Sequence, residues 1–144
     1  MSVPAHRYSL YLYPGKLRVD VVFGGSSSPE EHYPHVVTYR RRGEPGAEVL
    51  FPSPPYYLST VVHEGVHLLG WAEEHLTEEE LGSLVPAKDM AWAAGDAAVR
   101  EEARCRLMDR WVLRFLDEVN AGHIEYSRGR RFDKPLVPAL DIPD

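Results

Sequence analysis

Cysteine is almost missing from this chain. Cys105 is the only one in 144 residues, so no intrachain disulfide can form. Its place in an apolar helical stripe marks it as a small buried core residue. Long apolar runs are also missing. No stretch of about 18 apolar residues occurs, and Met1 to Leu10 carries no run of signal-peptide length. These absences argue against a membrane partner and lead to the expectation of a soluble cytoplasmic protein. Lysine is scarce, three against thirteen arginines, and the net charge is −6. An excess of positive charge is therefore lacking, which disfavours a general nucleic-acid binder. Two short basic clusters, Arg40 to Arg42 and Arg128 to Arg131, fall in turn-like contexts and read as solvated loops. No repeat and no inter-domain linker is visible. At 44% hydrophobic and 26% charged residues, the chain reads as one globular domain, 1–144.

What is present divides into a strand-like first half and a helical second half. Arg7 to Tyr13 alternates through Tyr8, Leu10 and Leu12, and Lys16 to Phe23 through Leu17, Val19, Val21 and Phe23. Pro14-Gly15 between them predicts a hairpin. After a polar loop, His35 to Arg41 and Ala47 to Phe51 form a second pair, joined around Arg42 to Gly46. Ser53 is placed to cap a helix that starts in the prolines at 54 and 55, with Gly70 as a plausible stop. Thr77 and Glu80 spell a capping box for a short helix to about Leu84. A longer helix, with a break at Gly95-Asp96, runs to about Asn120 and ends at Gly122. Residues 123–144, rich in proline, read as an extended tail. The expected class is α+β, with a mostly antiparallel sheet of about four strands packed on two helices.

The most informative segment is His63-Glu64-Gly65-Val66-His67. Residues four apart stack on one helical face, so the two imidazoles can offer nitrogens to one metal ion. Glu64 sits about 100° around the axis from His63 and can reach a water on that metal. Zinc needs a third protein ligand if one position is to stay open. Cys105, Met108, Val112, Phe115, Leu116 and Val119 form an apolar stripe on the long helix, and its backward projection passes through Glu101. A carboxylate in a buried stripe is costly unless it is paired or binds a cation, which favours Glu101 over Glu102.

The run TVVHEGVHLL at 60 to 69, followed about thirty residues later by REEARCRLM at 100 to 108, resembles a zincin metallopeptidase of the gluzincin type. Within that type it resembles the small single-domain members, such as the ImmA/IrrE-like peptidases and minigluzincins of prokaryotes and phages. Glu73 is the competing third ligand, since His63 to Glu73 reads H-E-x-x-H-x-x-G-x-x-E. In metzincins the last place holds histidine or aspartate, after a glycine that turns the chain back. The resemblance implies Zn²⁺ on His63, His67 and Glu101, with Glu64 as general base for attack of water on a peptide bond. It also implies an oxyanion donor, for which Tyr126, His123, Tyr56 and Tyr57 are candidates. The implied substrate is a protein or peptide, such as a specific regulatory protein, held along an edge strand. The alternative function is a zincin-fold module, phage-encoded, that binds and regulates a host protein without turnover.

Overall fold

The computed structural model describes residues 5–25, 33–90 and 95–127. Among the described residues, four strands, β1 (His6–Tyr13), β2 (Lys16–Phe23), β3 (His35–Arg41) and β4 (Glu44–Phe51), precede four helices. These are α1 (Leu58–His75), α2 (Glu78–Ser83), α3 (Ala87–Met90) and α4 (Asp96–Asn120). The class is α+β. The strands form one sheet in the order β1-β2-β4-β3. β1–β2 and β3–β4 are antiparallel, while β2 and β4 run parallel, so the sheet is mixed. The parallel pair arises because the chain crosses from β2 to the outer position, forms β3, and returns through a hairpin to lay β4 in between.

Both hairpins follow from turn chemistry. Pro14-Gly15 joins Tyr13 to its partner Lys16, with Gly15 at φ +74°. The second turn is tighter than the predicted Arg42-to-Gly46 link. Only Arg42 and Gly43 lie between the paired residues Arg41 and Glu44, at φ +52° and +79°. Positive φ at both central residues is what the strand twist demands of a two-residue hairpin.

Alternation sorts the sheet residues as expected. Leu12, Leu17, Val19, Val21, Phe23, Ala47, Val49 and Phe51 are buried on the face that meets the helices. Phe23 stacks on Phe51 at 4.5 Å between centroids and on Phe115 of α4 at 5.7 Å.

The start of α1 departs from expectation. Its N-cap is Tyr57, without a side-chain cap, and Ser53 does not cap it. The Leu58 amide instead donates to Ser127 O at 2.8 Å, where Tyr57 and Ser127 form a bridge between the chain after α4 and the start of α1. A main-chain acceptor thus replaces the side-chain cap. Gly70 does not stop α1, because burial of Leu68, Leu69 and Ala72 carries the helix on to His75. The capping box on α2 forms in full, with Thr77 Oγ1 accepting from Glu80 N and Glu80 Oε1 from Thr77 N.

Helix α4 is amphipathic, but its buried stripe differs from the predicted one. Ala103, Leu107, Trp111 and Phe115 are fully buried, and Glu118 continues the line. This stripe lies about 100° from the predicted one, equivalent to one residue of rotation. Cys105, predicted to be buried, is exposed, and so is Glu101. The physical reason is Trp111. Its indole is the largest fully buried side chain, and its Nε1 donates to Val61 O at 2.8 Å, which pins this face against α1. Glycine at position 65 permits that approach. A Cβ there would lie 2.6 Å from Trp111 Cδ1 and 3.1 Å from Met108 Sδ. Of the expected tail 123–144, only residues up to 127 lie within the described part.

Candidate metal and hydrolytic site

Helix α1 brings His63 and His67 together on its exposed face. Their ring centroids are 5.1 Å apart at an interplanar angle of 74°. Two imidazoles that share a tetrahedral zinc through Zn–N bonds of about 2.1 Å have ring centres roughly 5 Å apart. The pair therefore has the spacing of two metal ligands.

Glu64 occupies the next strip of the helix and turns inward, toward the sheet. It is 5% exposed, and Oε2 has no hydrogen-bond partner among the described residues. Burial pushes its carboxyl above the ordinary carboxylate range, against the opposing pull of the imidazoles of His63, His67 and His35. Buried carboxylates are normally paired, so an oxygen without a partner among the described residues, beside two imidazoles, has the chemistry to accept a proton or meet a cation.

The expected third ligands are not delivered to this pair. α1 and α4 pack so that Gly65 meets Trp111 and Met108, while Glu73 pairs with Arg104. Glu101 lies one turn or more beyond that contact, next to Arg100, which pairs with Glu78 at the start of α2. At 1.5 Å per residue this is about 10 Å along the helix from the level of His67. Its exposure removes the burial argument that selected it, and Glu102 shares its level. Glu73 is on the same continuous helix as the histidines, six residues after His67, or about 9 Å. Its carboxylate takes two hydrogen bonds from Arg104, at 2.5 and 3.3 Å. Since α1 does not break at Gly70, the chain never turns Glu73 back.

The candidate oxyanion donors divide. His123 is bonded to Glu118 through Nδ1 at 2.6 Å, beyond the N-terminal end of α1. Tyr126 stands edge-on to Phe115 at 5.6 Å. Tyr56 and Tyr57 instead line a cavity of about 550 Å³ at the start of α1, together with Tyr33, Pro34, Ser59 and Thr60. Ser59 and Thr60 lie one turn before His63 and Glu64. Burial raises the Tyr56 hydroxyl above its ordinary pKa. β3 forms one edge of the sheet, and α1 packs across β3 and β4.

A second group of metal-type donors, not foreseen from the sequence, is His6, Glu118 and His123. Its signal was legible in part. Glu118 to His123 spans a helix end with Gly122 in the left-handed position at φ +82°. Gly122 N donates to Val119 O and His123 N to Glu118 O, a Schellman closure that returns His123 to the side chain of Glu118. The contribution of His6 depends on strand β1 reaching that helix end, which no local pattern encodes.

No protein-family model, curated protein or solved structure matches this chain. No helix of the described residues is long and apolar enough to cross a membrane.

Proposed function

We propose that this protein is a zinc-dependent hydrolase of peptide bonds, with His63 and His67 as metal ligands and Glu64 as the general base. The observation that carries the reading is the buried Glu64 carboxyl, whose Oε2 has no hydrogen-bond partner among the described residues, beside two solvent-facing imidazoles 5.1 Å apart. A bound zinc ion supplies Lewis acidity and lowers the pKa of its water toward neutrality. The remaining chemistry belongs to the chain. Desolvation makes Glu64 a stronger base than an exposed glutamate, suited to accept a proton from water and return it to the leaving amine. The edge of β3 offers main-chain groups for an extended peptide, and the tyrosine-lined cavity before His63 can receive a side chain of that substrate. A cytoplasmic enzyme of this kind would act on a narrow set of proteins.

A second reading is favoured by one specific observation. Glu101 is exposed and Glu73 is held by Arg104, so neither helix completes a three-ligand set. A module that binds a host regulatory protein without turnover accommodates this.

The two separate by experiment. Purified protein is assayed for zinc content and for cleavage of a peptide library, as wild type, Glu64→Gln and His63→Ala/His67→Ala. Hydrolysis predicts chelator-sensitive cleavage that Glu64→Gln abolishes while zinc is retained. Cleavage that survives Glu64→Gln, or no cleavage by the zinc-loaded wild type, rules the hydrolase out.

A further inference from the structure

We infer that His6, Glu118 and His123 form a second transition-metal site, separate from the His63–His67 pair. Two parts of the chain far apart in sequence meet there: the first residue of β1, and the end of α4 with the residue just past its glycine cap. His6 Nε2 and His123 Nδ1 both donate to one oxygen, Glu118 Oε2, at 2.8 and 2.6 Å. The donor atoms of all three residues lie within 4.8 Å of one another, and the two rings are 4.8 Å apart at 39°. Two imidazoles and one carboxylate are a donor set for zinc, iron, cobalt or nickel in their divalent states.

The carboxylate is already oriented for this role. Glu118 is 7% exposed. Arg114 Nη1 holds its other oxygen at 2.5 Å, and the Tyr8 ring covers the guanidinium at 4.7 Å. Oε2 is thereby turned toward the two rings, as the partners behind a metal ligand commonly do. The positive charge of Arg114 weakens the site for a dication but does not occupy the oxygen that would bind it.

Little rearrangement is needed. Donors on one tetrahedral ion at about 2.1 Å lie roughly 3.4 Å apart, so each present hydrogen bond must open by about 0.6–0.8 Å. His123 is half exposed and His6 a third exposed at the side chain, which leaves both rings room to move. The ion would take the place of the two bridging hydrogens, binding each ring through the nitrogen that now faces Glu118, with the ring in the tautomer that carries its proton on the other nitrogen. The mouth of the cluster opens on a cavity of about 400 Å³ lined by His6, Tyr56, His123 and Tyr126, which gives solvent or a small ligand access to the fourth position. Metal bound there would clamp the start of β1 to the end of α4.

The test uses Co²⁺, whose visible absorption reports low-coordinate binding, added to full-length metal-free protein. In His63→Ala/His67→Ala, one equivalent of Co²⁺ is expected to bind and to raise the Tm. Adding His123→Ala should weaken that binding at least tenfold and abolish the Tm rise. His6→Gln should weaken it as well, and His75→Ala should leave it unchanged. Failure of His63→Ala/His67→Ala to take up Co²⁺, or equal binding after His123→Ala and His6→Gln, overturns the site. The single variant His123→Ala tests the other pair independently. Metal retained there belongs to His63 and His67, whatever happens at Glu118.

Discussion

The central glycine of the H-E-G-V-H segment offers a sharp test of how the two long helices meet. Gly65 lies in the interior of α1, where alanine would ordinarily stabilise a helix by about 1 kcal/mol. Here the added methyl would sit 2.6 and 2.7 Å from Trp111 Cδ1 and Nε1 and 3.1 Å from Met108 Sδ. Trp111 is fully buried and cannot swing into solvent. Overpacking of this kind costs about 1–3 kcal/mol. Displacing the indole also breaks its bond to Val61 O and strands a buried N–H, a further cost of about 1–3 kcal/mol. After the helix gain is subtracted, Gly65→Ala should lower stability by about 1–5 kcal/mol, a fall in Tm of about 3–17 °C for a chain of this size. Gly70, one turn and a half later, is the control. It is exposed, and an added Cβ meets nothing within 4 Å. Gly70→Ala should therefore raise stability by about 0.5–1 kcal/mol. Urea unfolding followed by tryptophan fluorescence measures both. A Gly65→Ala protein as stable as wild type, or a Gly70→Ala protein equally damaged, would refute the packing described for α1 and α4.

Two pH experiments probe the buried acids, whose signs are opposite. Burial alone would raise the pKa of Glu118, but hydrogen bonds from His123, Arg114 and His6 outweigh it and hold the carboxyl at about 2. The folded value is depressed, so the stabilisation is complete above about pH 4.5 and disappears as pH falls toward 2. It amounts to at most about 3 kcal/mol. The difference in unfolding free energy between wild type and Glu118→Gln should shrink over that window, and a difference constant from pH 7 to pH 2.5 would contradict the network. Glu64 has a raised folded pKa, so ionising it penalises the native state as pH climbs above the unfolded carboxylate value. In metal-free protein Glu64→Gln should therefore be more stable than wild type at pH 7, with the advantage fading at pH 4. A stability loss at pH 7 would mean that the carboxylate is satisfied in the native state.

Much of the architecture was legible because it is encoded by neighbours in sequence. Alternation over Arg7 to Phe23 marks the buried faces of β1 and β2, and Pro14-Gly15 dictates their turn. Thr77 and Glu80 satisfy each other's amides within one helical turn. The four-residue spacing of His63 and His67 puts their rings together on any α-helix, whatever surrounds it. Where the text of the chain misled, the deciding forces were long-range. Apolar residues on α4 are numerous enough to suggest a stripe through Cys105 and Val112, but the indole of Trp111 needed both a cavity and an acceptor. The carbonyl of Val61 and the bare backbone at Gly65 supplied them, and that contact rotated the buried face away from Glu101. The parallel placement of β4 beside β2, the main-chain cap from Ser127 and the arrival of His6 at Glu118 likewise depend on partners more than fifteen residues away. Local spacing therefore determined the helices, the turns and the paired imidazoles. Which acid faces which cation was decided only when the packed core fixed the rotation and overlap of the helices.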